Sequence, residues 1–308
     1  MTSFVLAHLS DPHLAPLPRP QPHELLGKRA LGYLNWTRGR RLVHRRDVLD
    51  TLVADTLAQR PDHIAVTGDL VNIALPGEIA QAADWLHGLG RASDVTLVPG
   101  NHDAYVHGAL AAATRAWGAY MQGDNAAAAP GAGFPFVRRR GPLTMIGVSS
   151  AVATPWFRAT GRVGKEQLDK LRDALTRLGE EGRFRLVLIH HPPESVPKRK
   201  AQRLLDGPAL REVIADAGAE LLIHGHDHIH QVSWFDAGDR RMAAVGVPSA
   251  SAKTGGRWEA AGYNLYRIEG EPGTWRCEMS SRSLDGDGKW IDRGGRNLTR
   301  GLLRMPSL

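Results

Sequence analysis

With 308 residues, 42% of them hydrophobic and 23% charged, the chain can bury a sizeable core and has the composition of a globular protein. Its formal charge of +7 and pI of about 9.8 favour an anionic partner: a phosphorylated substrate, nucleic acid or an acidic membrane face. Cys277 is the single cysteine, which excludes an intrachain disulfide and a thiolate metal cluster.

The first apolar run, 4–9, predicts a strand and leads into Ser10-Asp11-Pro12-His13. Residues 1–11 have no basic n-region, and their apolar run is broken by His8 and Asp11, which argues against a secretory signal. No stretch approaches the roughly 20 apolar residues of a membrane span. A cytoplasmic protein, free or peripheral at the membrane, is expected. Residues 19–46 carry eight Arg/Lys against one acid, Glu24. Val48, Leu49, Leu52, Val53, Thr56 and Leu57 then form a helical stripe. A strand at 63–67 precedes Gly68-Asp69, and one at 95–98 precedes Gly100-Asn101-His102-Asp103. Residues 123–141, rich in Ala, Gly and Pro and ending in Arg138-Arg139-Arg140, read as a loop. A strand at 143–149 follows, then a helix carrying Leu168, Leu171, Leu175 and Leu178. The strand 184–189 opens into His190-His191-Pro192-Pro193, and 221–224 opens into Gly225-His226-Asp227-His228. Strands at 242–247, 263–268 and 274–279 complete a unit spanning 1–283. The remainder, 284–308, reads as an irregular tail. Early strands alternate with helices and late strands do not, so an α/β sandwich of mixed sheets is expected.

Carboxylates, one amide and imidazoles at the ends of several strands can converge on one pocket. Asp11 and His13 are two apart, and in extended backbone both would face the same way. Asp69 can bridge two ions, Asn101 offers a neutral oxygen, and His190, His226 and His228 offer nitrogens. Such an O/N donor set suits a pair of divalent ions, with Mn, Fe, Zn and Co all compatible. Two such ions outweigh the carboxylates of Asp11 and Asp69, so the centre attracts phosphate.

These blocks, D-x-H, G-D, G-N-H-D, H and G-H-D-H in this order over roughly residues 4–250, resemble the calcineurin-like metallophosphoesterases, and most closely the class III cyclic-nucleotide phosphodiesterase group. The resemblance implies a four-layer αββα sandwich, two mixed β-sheets flanked by helices. It implies Asp11, His13 and His228 on a first ion, Asn101, His190 and His226 on a second, and Asp69 between them. It makes His102 the catalytic histidine on the phosphate. It implies phosphodiester hydrolysis by a metal-bridging hydroxide. Two other enzymatic readings stay open: a pyrophosphatase acting on a nucleotide-linked lipid such as UDP-diacylglucosamine, and a DNA-repair-type nuclease. A non-catalytic binding module is disfavoured because no ligand position is lost. Nucleic acid is the less favoured partner, since no added DNA-binding module is visible.

The chain departs from the family at Asn72, where several members carry an Asp paired to the catalytic histidine, and at Ile73, where protein phosphatases carry an Arg. Asp103 and His191 are candidates for orienting a histidine or contacting substrate. His8, His224 and His230 read mainly as structural, and His23, His44, His63, His87 and His107 as surface or packing residues. The insertion 19–46 has two readings. It is a solvated loop, or an amphipathic basic lid touching an acidic substrate or anionic lipid.

Overall fold

The computed structural model describes residues 3–124, 133–194, 197–237, 240–256 and 258–299. One six-stranded sheet contains β1 (Phe4–Leu9), β2 (His63–Val66), β3 (Val95–Leu97), β10 (Gly262–Glu269), β11 (Arg276–Leu284) and β12 (Trp290–Asn297), ordered β12-β11-β10-β1-β2-β3. The other contains β4 (Phe136–Arg140), β5 (Leu143–Gly147), β6 (Phe184–Leu188), β7 (Leu221–His224), β8 (Gln231–Ala237) and β9 (Arg240–Gly246), ordered β4-β5-β6-β7-β9-β8. Both are mixed. β1, β2 and β3 are parallel and β10 is antiparallel to β1. β5, β6, β7 and β9 are parallel, with antiparallel β4 and β8 at the edges.

The layers follow from side-chain alternation. On β6 and β7, Leu186, Leu188, Leu221 and Ile223 join the core shared with the first sheet. Their alternates Val187 and Leu222 join a second core with Leu171 and Leu175 of α6 (Lys165–Glu180) and Leu210 and Ile214 of α7 (Gly207–Ala217). Helices α3 (Arg46–Ala58), α4 (Pro76–Leu89) and α5 (Ala109–Trp117) supply Leu49, Leu52, Leu86 and Trp117 to the first core. The αββα sandwich expected from the sequence is the fold. No helix among the described residues is long and apolar enough to cross a membrane.

Three expectations are corrected. The loop 123–141 contains β4, while 125–132 lies outside the described residues. Its Arg138 is buried, donating to the carbonyls of Gln122, Ala92, Val95 and Ala119. The tail 284–308 is not wholly irregular. β12 pairs antiparallel with β11, because an edge strand needs only backbone pairing and a tight turn, even when its side chains face solvent. Residues 300–308 lie outside the described residues.

The third concerns 19–46, which is not a solvated loop. It folds as α1 (Lys28–Asn35), a π-helical turn (Trp36–Arg40) and α2 (Arg41–Val43). Leu25, Tyr33 and Trp36 pack on a small core of Leu17, Ile73 and Leu75. Lys28 Nζ donates to Thr154 Oγ1 at 3.0 Å and lies 4.4 Å from the Tyr105 ring centroid. Arg29 donates to the carbonyls of Ile73 and Ala74. Gly32 is buried, and a Cβ there would overlap the Tyr105 hydroxyl, so the packing of α1 requires glycine at this position.

Candidate metal centre

The five motif loops leave the carboxyl ends of β1, β2, β3, β6 and β7 and meet in one place. Backbone bonds join them: Asp11 N–H to Gly68 O (3.0 Å), His13 N–H to Asp69 O (3.1 Å) and Gly225 N–H to His190 O (3.1 Å). The approach is close enough to demand glycine. A Cβ on Gly225 would overlap Ser10 Oγ, and one on Gly100 would overlap the Asp69 carboxylate. Asp11 (φ 52°), His13 (37°), Asp69 (56°), His226 (70°) and His228 (56°) all adopt left-handed backbone. Extended alternation therefore does not bring Asp11 and His13 together, contrary to expectation. Two strained turns do. Strain of this kind costs about 1–3 kcal/mol per residue and persists where surrounding structure enforces it.

Asp11 and Asp69 divide their oxygens in the same way. Asp11 Oδ2 accepts from His226 N–H (3.0 Å), leaving Oδ1 3.1 Å from His228 Nε2 and 3.9 Å from His13 Nε2. Asp69 Oδ1 accepts from His102 N–H (2.7 Å), leaving Oδ2 3.3 Å from His190 Nε2 and 3.9 Å from His13 Nε2. Asp69 Oδ2 thus stands between the two histidine groups.

The imidazoles are held from behind. His13 Nδ1 donates to Val71 O (3.1 Å), His190 Nδ1 to Thr67 O (2.6 Å) and His226 Nε2 to Gln202 O (2.8 Å). Each ring's other nitrogen turns a lone pair inward. His190 Nε2 faces His226 Nδ1 at 3.3 Å and Asn101 Oδ1 at 3.2 Å. Neutral rings in this arrangement oppose acceptor to acceptor, so a cation or proton belongs between them. Burial works against charge on His190, yet the Asp69 and Asp11 carboxylates outweigh it and raise its pKa to about 10. The donor atoms of Asp11, His13 and His228 and those of Asp69, His190 and His226 lie close enough together to hold an ion each. The residues fit a pair of cations.

His102 Nδ1 donates to the Asn72 main-chain carbonyl, so Nε2 faces the cleft. The Asn72 side chain serves elsewhere: Nδ2 donates to Leu14 O (3.0 Å). Burial and the Arg40 guanidinium lower the His102 pKa to about 3. Asp103 accepts from the amides of Asp69, Leu70, Val71 and Gly100 and so ties two motif loops together. His191 has both nitrogens committed, Nδ1 to Ser150 Oγ (2.8 Å) and Nε2 to Ala159 O (3.1 Å).

Two residues at the site carry no sequence signal. His44 is buried, its ring 4.5 Å from that of His13 and its Nδ1 2.9 Å from Ser251 Oγ. Arg40 reaches in from the insertion, with Nη1 3.0 Å from His102 Nε2 and Nη2 3.1 Å from His13 Nε2. A cleft of about 450 Å³ opens beside them, lined by Lys28, Arg40, Asn101, His102, Tyr105 and Phe157 among others.

The family model described as calcineurin-like phosphoesterase matches residues 4–230. The chain belongs to the calcineurin-like phosphoesterase family. As a member it is a metal-dependent hydrolase of phosphoric esters. Among curated proteins, this phosphoesterase is 29% identical over 231 residues to a probable cyclic nucleotide phosphodiesterase of a Synechococcus strain, covering 74% of this chain and 80% of that one. It is 35% identical over 100 residues to the glycerophosphodiester phosphodiesterase GpdQ of Enterobacter lignolyticus, covering 32% of this chain and 30% of that protein. Its fold is similar to that of a dimetal phosphatase from Danio rerio (TM-score 0.61, 14% identity, 94% of this chain and 98% of that one). It is also similar to that of the purple acid phosphatase PPD1 from yellow lupin (TM-score 0.58, 14% identity, 94% and 53%). At that identity the structural likeness concerns the fold.

Proposed function

We propose that this phosphoesterase cleaves phosphodiesters at a centre of two divalent ions, drawn from Mn, Fe, Zn or Co. Asp11, His13 and His228 would hold the first, and Asn101, His190 and His226 the second, with Asp69 Oδ2 between them. The observation that carries this reading is the inward-facing set of carboxylate oxygens and imidazole lone pairs, with Asp11, Asp69, His13, His190 and His226 each backed by a main-chain hydrogen bond. When bound, the ions supply Lewis acidity at the phosphoryl oxygens and lower the pKa of water.

The chain's own groups do the rest. The Asn72 carbonyl fixes the ring of His102, and its Nε2 is the atom that exchanges a proton in the cleft. Burial and the Arg40 guanidinium keep Nε2 unprotonated in this arrangement, so His102 would protonate a departing alkoxide only once Arg40 has moved off it. Asp103 fixes the loops that carry Asp69 and Asn101.

Diesters are favoured over phosphoprotein monoesters by two features. The longer of the two curated matches is to a probable cyclic nucleotide phosphodiesterase. Ile73, at the position where protein phosphatases carry an arginine, is buried beneath the insertion with Leu17 and Leu75. The test compares bis(p-nitrophenyl) phosphate with p-nitrophenyl phosphate in the presence of Mn²⁺. Faster cleavage of the diester is expected, and a strong monoester preference would make the protein a phosphatase.

One observation favours a lipid-bearing ester as a second reading. Phe157, 82% exposed, and Leu31 line the cleft, and Leu26, Leu34 and Leu42 of the insertion are exposed beside its cations. An amphipathic basic rim suits an acyl chain attached to a phosphate.

A further inference from the structure

The insertion delivers one side chain into the metal centre, and this chain's motifs do not account for it. Arg40 ends the π-helical turn Trp36–Arg40, and its guanidinium enters between His13 and His102. Both rings present lone pairs to it, since His13 Nδ1 and His102 Nδ1 are already donating to the carbonyls of Val71 and Asn72. Arg40 is therefore the donor in both contacts. Burial disfavours its charge, while the carboxylates of Asp69 and Asp11 support it. The guanidinium occupies the place of a cation in an acidic, lone-pair-rich pocket.

Two consequences follow from the chemistry of the fork. First, the His13 Nε2 lone pair that accepts from Arg40 is the one an ion on Asp11, His13 and His228 would need. Arg40 and that ion compete for one acceptor. Second, a guanidinium freed from His13 keeps its tether. The insertion is pinned on both sides of it, by Lys28 and Arg29 before and by the pairing of His44 with Ala252 after. It stays at the mouth of the cleft beside His102 and Asn101. A planar fork of parallel N–H donors matches two oxygens of a phosphoryl group better than a point charge does.

The geometry points to Arg40 as a phosphate-binding residue, carried by the insertion, that shares the His13 acceptor with the first ion's site and grips the substrate phosphoryl group beside His102. This inference rests on the phosphoesterase centre proposed above, and it makes the insertion a working part of that centre.

The probe is inorganic phosphate, whose binding needs no turnover. Orthophosphate is titrated calorimetrically into Mn²⁺-loaded parent protein, Arg40→Gln and Arg40→Lys, with bound Mn²⁺ measured in each. Arg40→Gln is expected to keep its Mn²⁺ and bind phosphate roughly 10–100-fold more weakly, the range for losing a charge-assisted pair. Arg40→Lys should recover only part of that loss. The metal-free Arg40→Gln protein should bind Mn²⁺ about tenfold more tightly than the parent, because a competing cation has gone. Phosphate affinity equal to the parent's in Arg40→Gln would overturn the inference.

A measurement on the parent protein guards against a variant that fails to fold. Phenylglyoxal should modify Arg40 in the Mn²⁺-loaded protein, and phosphate should protect it, read on the Arg40 peptide by mass spectrometry. Modification unaffected by saturating phosphate would also overturn the inference. If phosphate binding depends on Arg40 while no diester is hydrolysed, the diesterase reading falls and the role of Arg40 stands. If diesters are hydrolysed with an unchanged KM in Arg40→Gln, the reverse holds.

Discussion

At the scale of single residues, the centre is organised by pairs of functions within one side chain. Each of Asp11 and Asp69 spends one oxygen on a neighbouring loop's amide and keeps the other for the cluster. Removing charge at Asp69 should therefore affect both ions. Asp69→Asn is expected to drop metal content below two equivalents and abolish hydrolysis, as read by elemental analysis and a diester assay. Two full equivalents with near-normal turnover would contradict the bridging role proposed for Asp69. His102 stands beside the ligands proposed for the ions and is not assigned to either ion. His102→Ala should keep both ions and lower kcat by roughly 10²–10⁴-fold. The loss should shrink with nitrophenolate as leaving group, since a good leaving group needs no proton. Loss of metal in that variant would contradict the assignment.

Elements decide which of these residues can meet, and here sequence and structure part company in instructive ways. The ligand motifs were legible because each follows a short buried strand, and the parallel strands within each sheet end on one side. The left-handed turns at Asp11, His13, His226 and His228 were not legible, since nothing but the closeness of the loops requires them. Strand β4 was hidden by Arg138, an arginine whose burial is made possible by four carbonyls distant in sequence. Arg40 was hidden among the other cations of its segment, and only the packing of α1 on Ile73 and Tyr105 singles it out.

A further cluster joins elements on the side of the first sheet. Asp55 on α3 accepts from Arg282 Nε (2.7 Å) and Nη2 (2.9 Å) on β11 and from the Tyr263 hydroxyl on β10. Although burial works the other way, those hydrogen bonds hold the Asp55 carboxyl below its usual pKa. Its stabilisation is thus present above the unfolded carboxylate range and is lost as pH falls through the folded value. Asp55→Asn should cost about 1–3 kcal/mol near neutrality by urea denaturation. The difference from the parent should begin to shrink as pH falls below about 5 and go on shrinking through the lowered folded value. A difference independent of pH would mean that packing, not charge, ties α3 to the sheet.

For the molecule as a whole, two mixed sheets stacked face to face bring loops from both to one rim, and the insertion closes over it. The net charge of +7 and the cations lining the cleft predict that KM for an anionic ester rises with salt, more than kcat falls. An invariant KM from low to high ionic strength would leave recognition to the ions and Arg40 alone. The central claim is that Asp69 sits between two ions. Its most direct test is an anomalous difference map from crystals loaded with Mn²⁺, collected at the manganese edge. The account predicts two peaks about 3.5–4 Å apart, one beside Asp11, His13 and His228, the other beside Asn101, His190 and His226, with Asp69 Oδ2 contacting both. A single peak, or two peaks with Asp69 bound to neither or to only one, would contradict it.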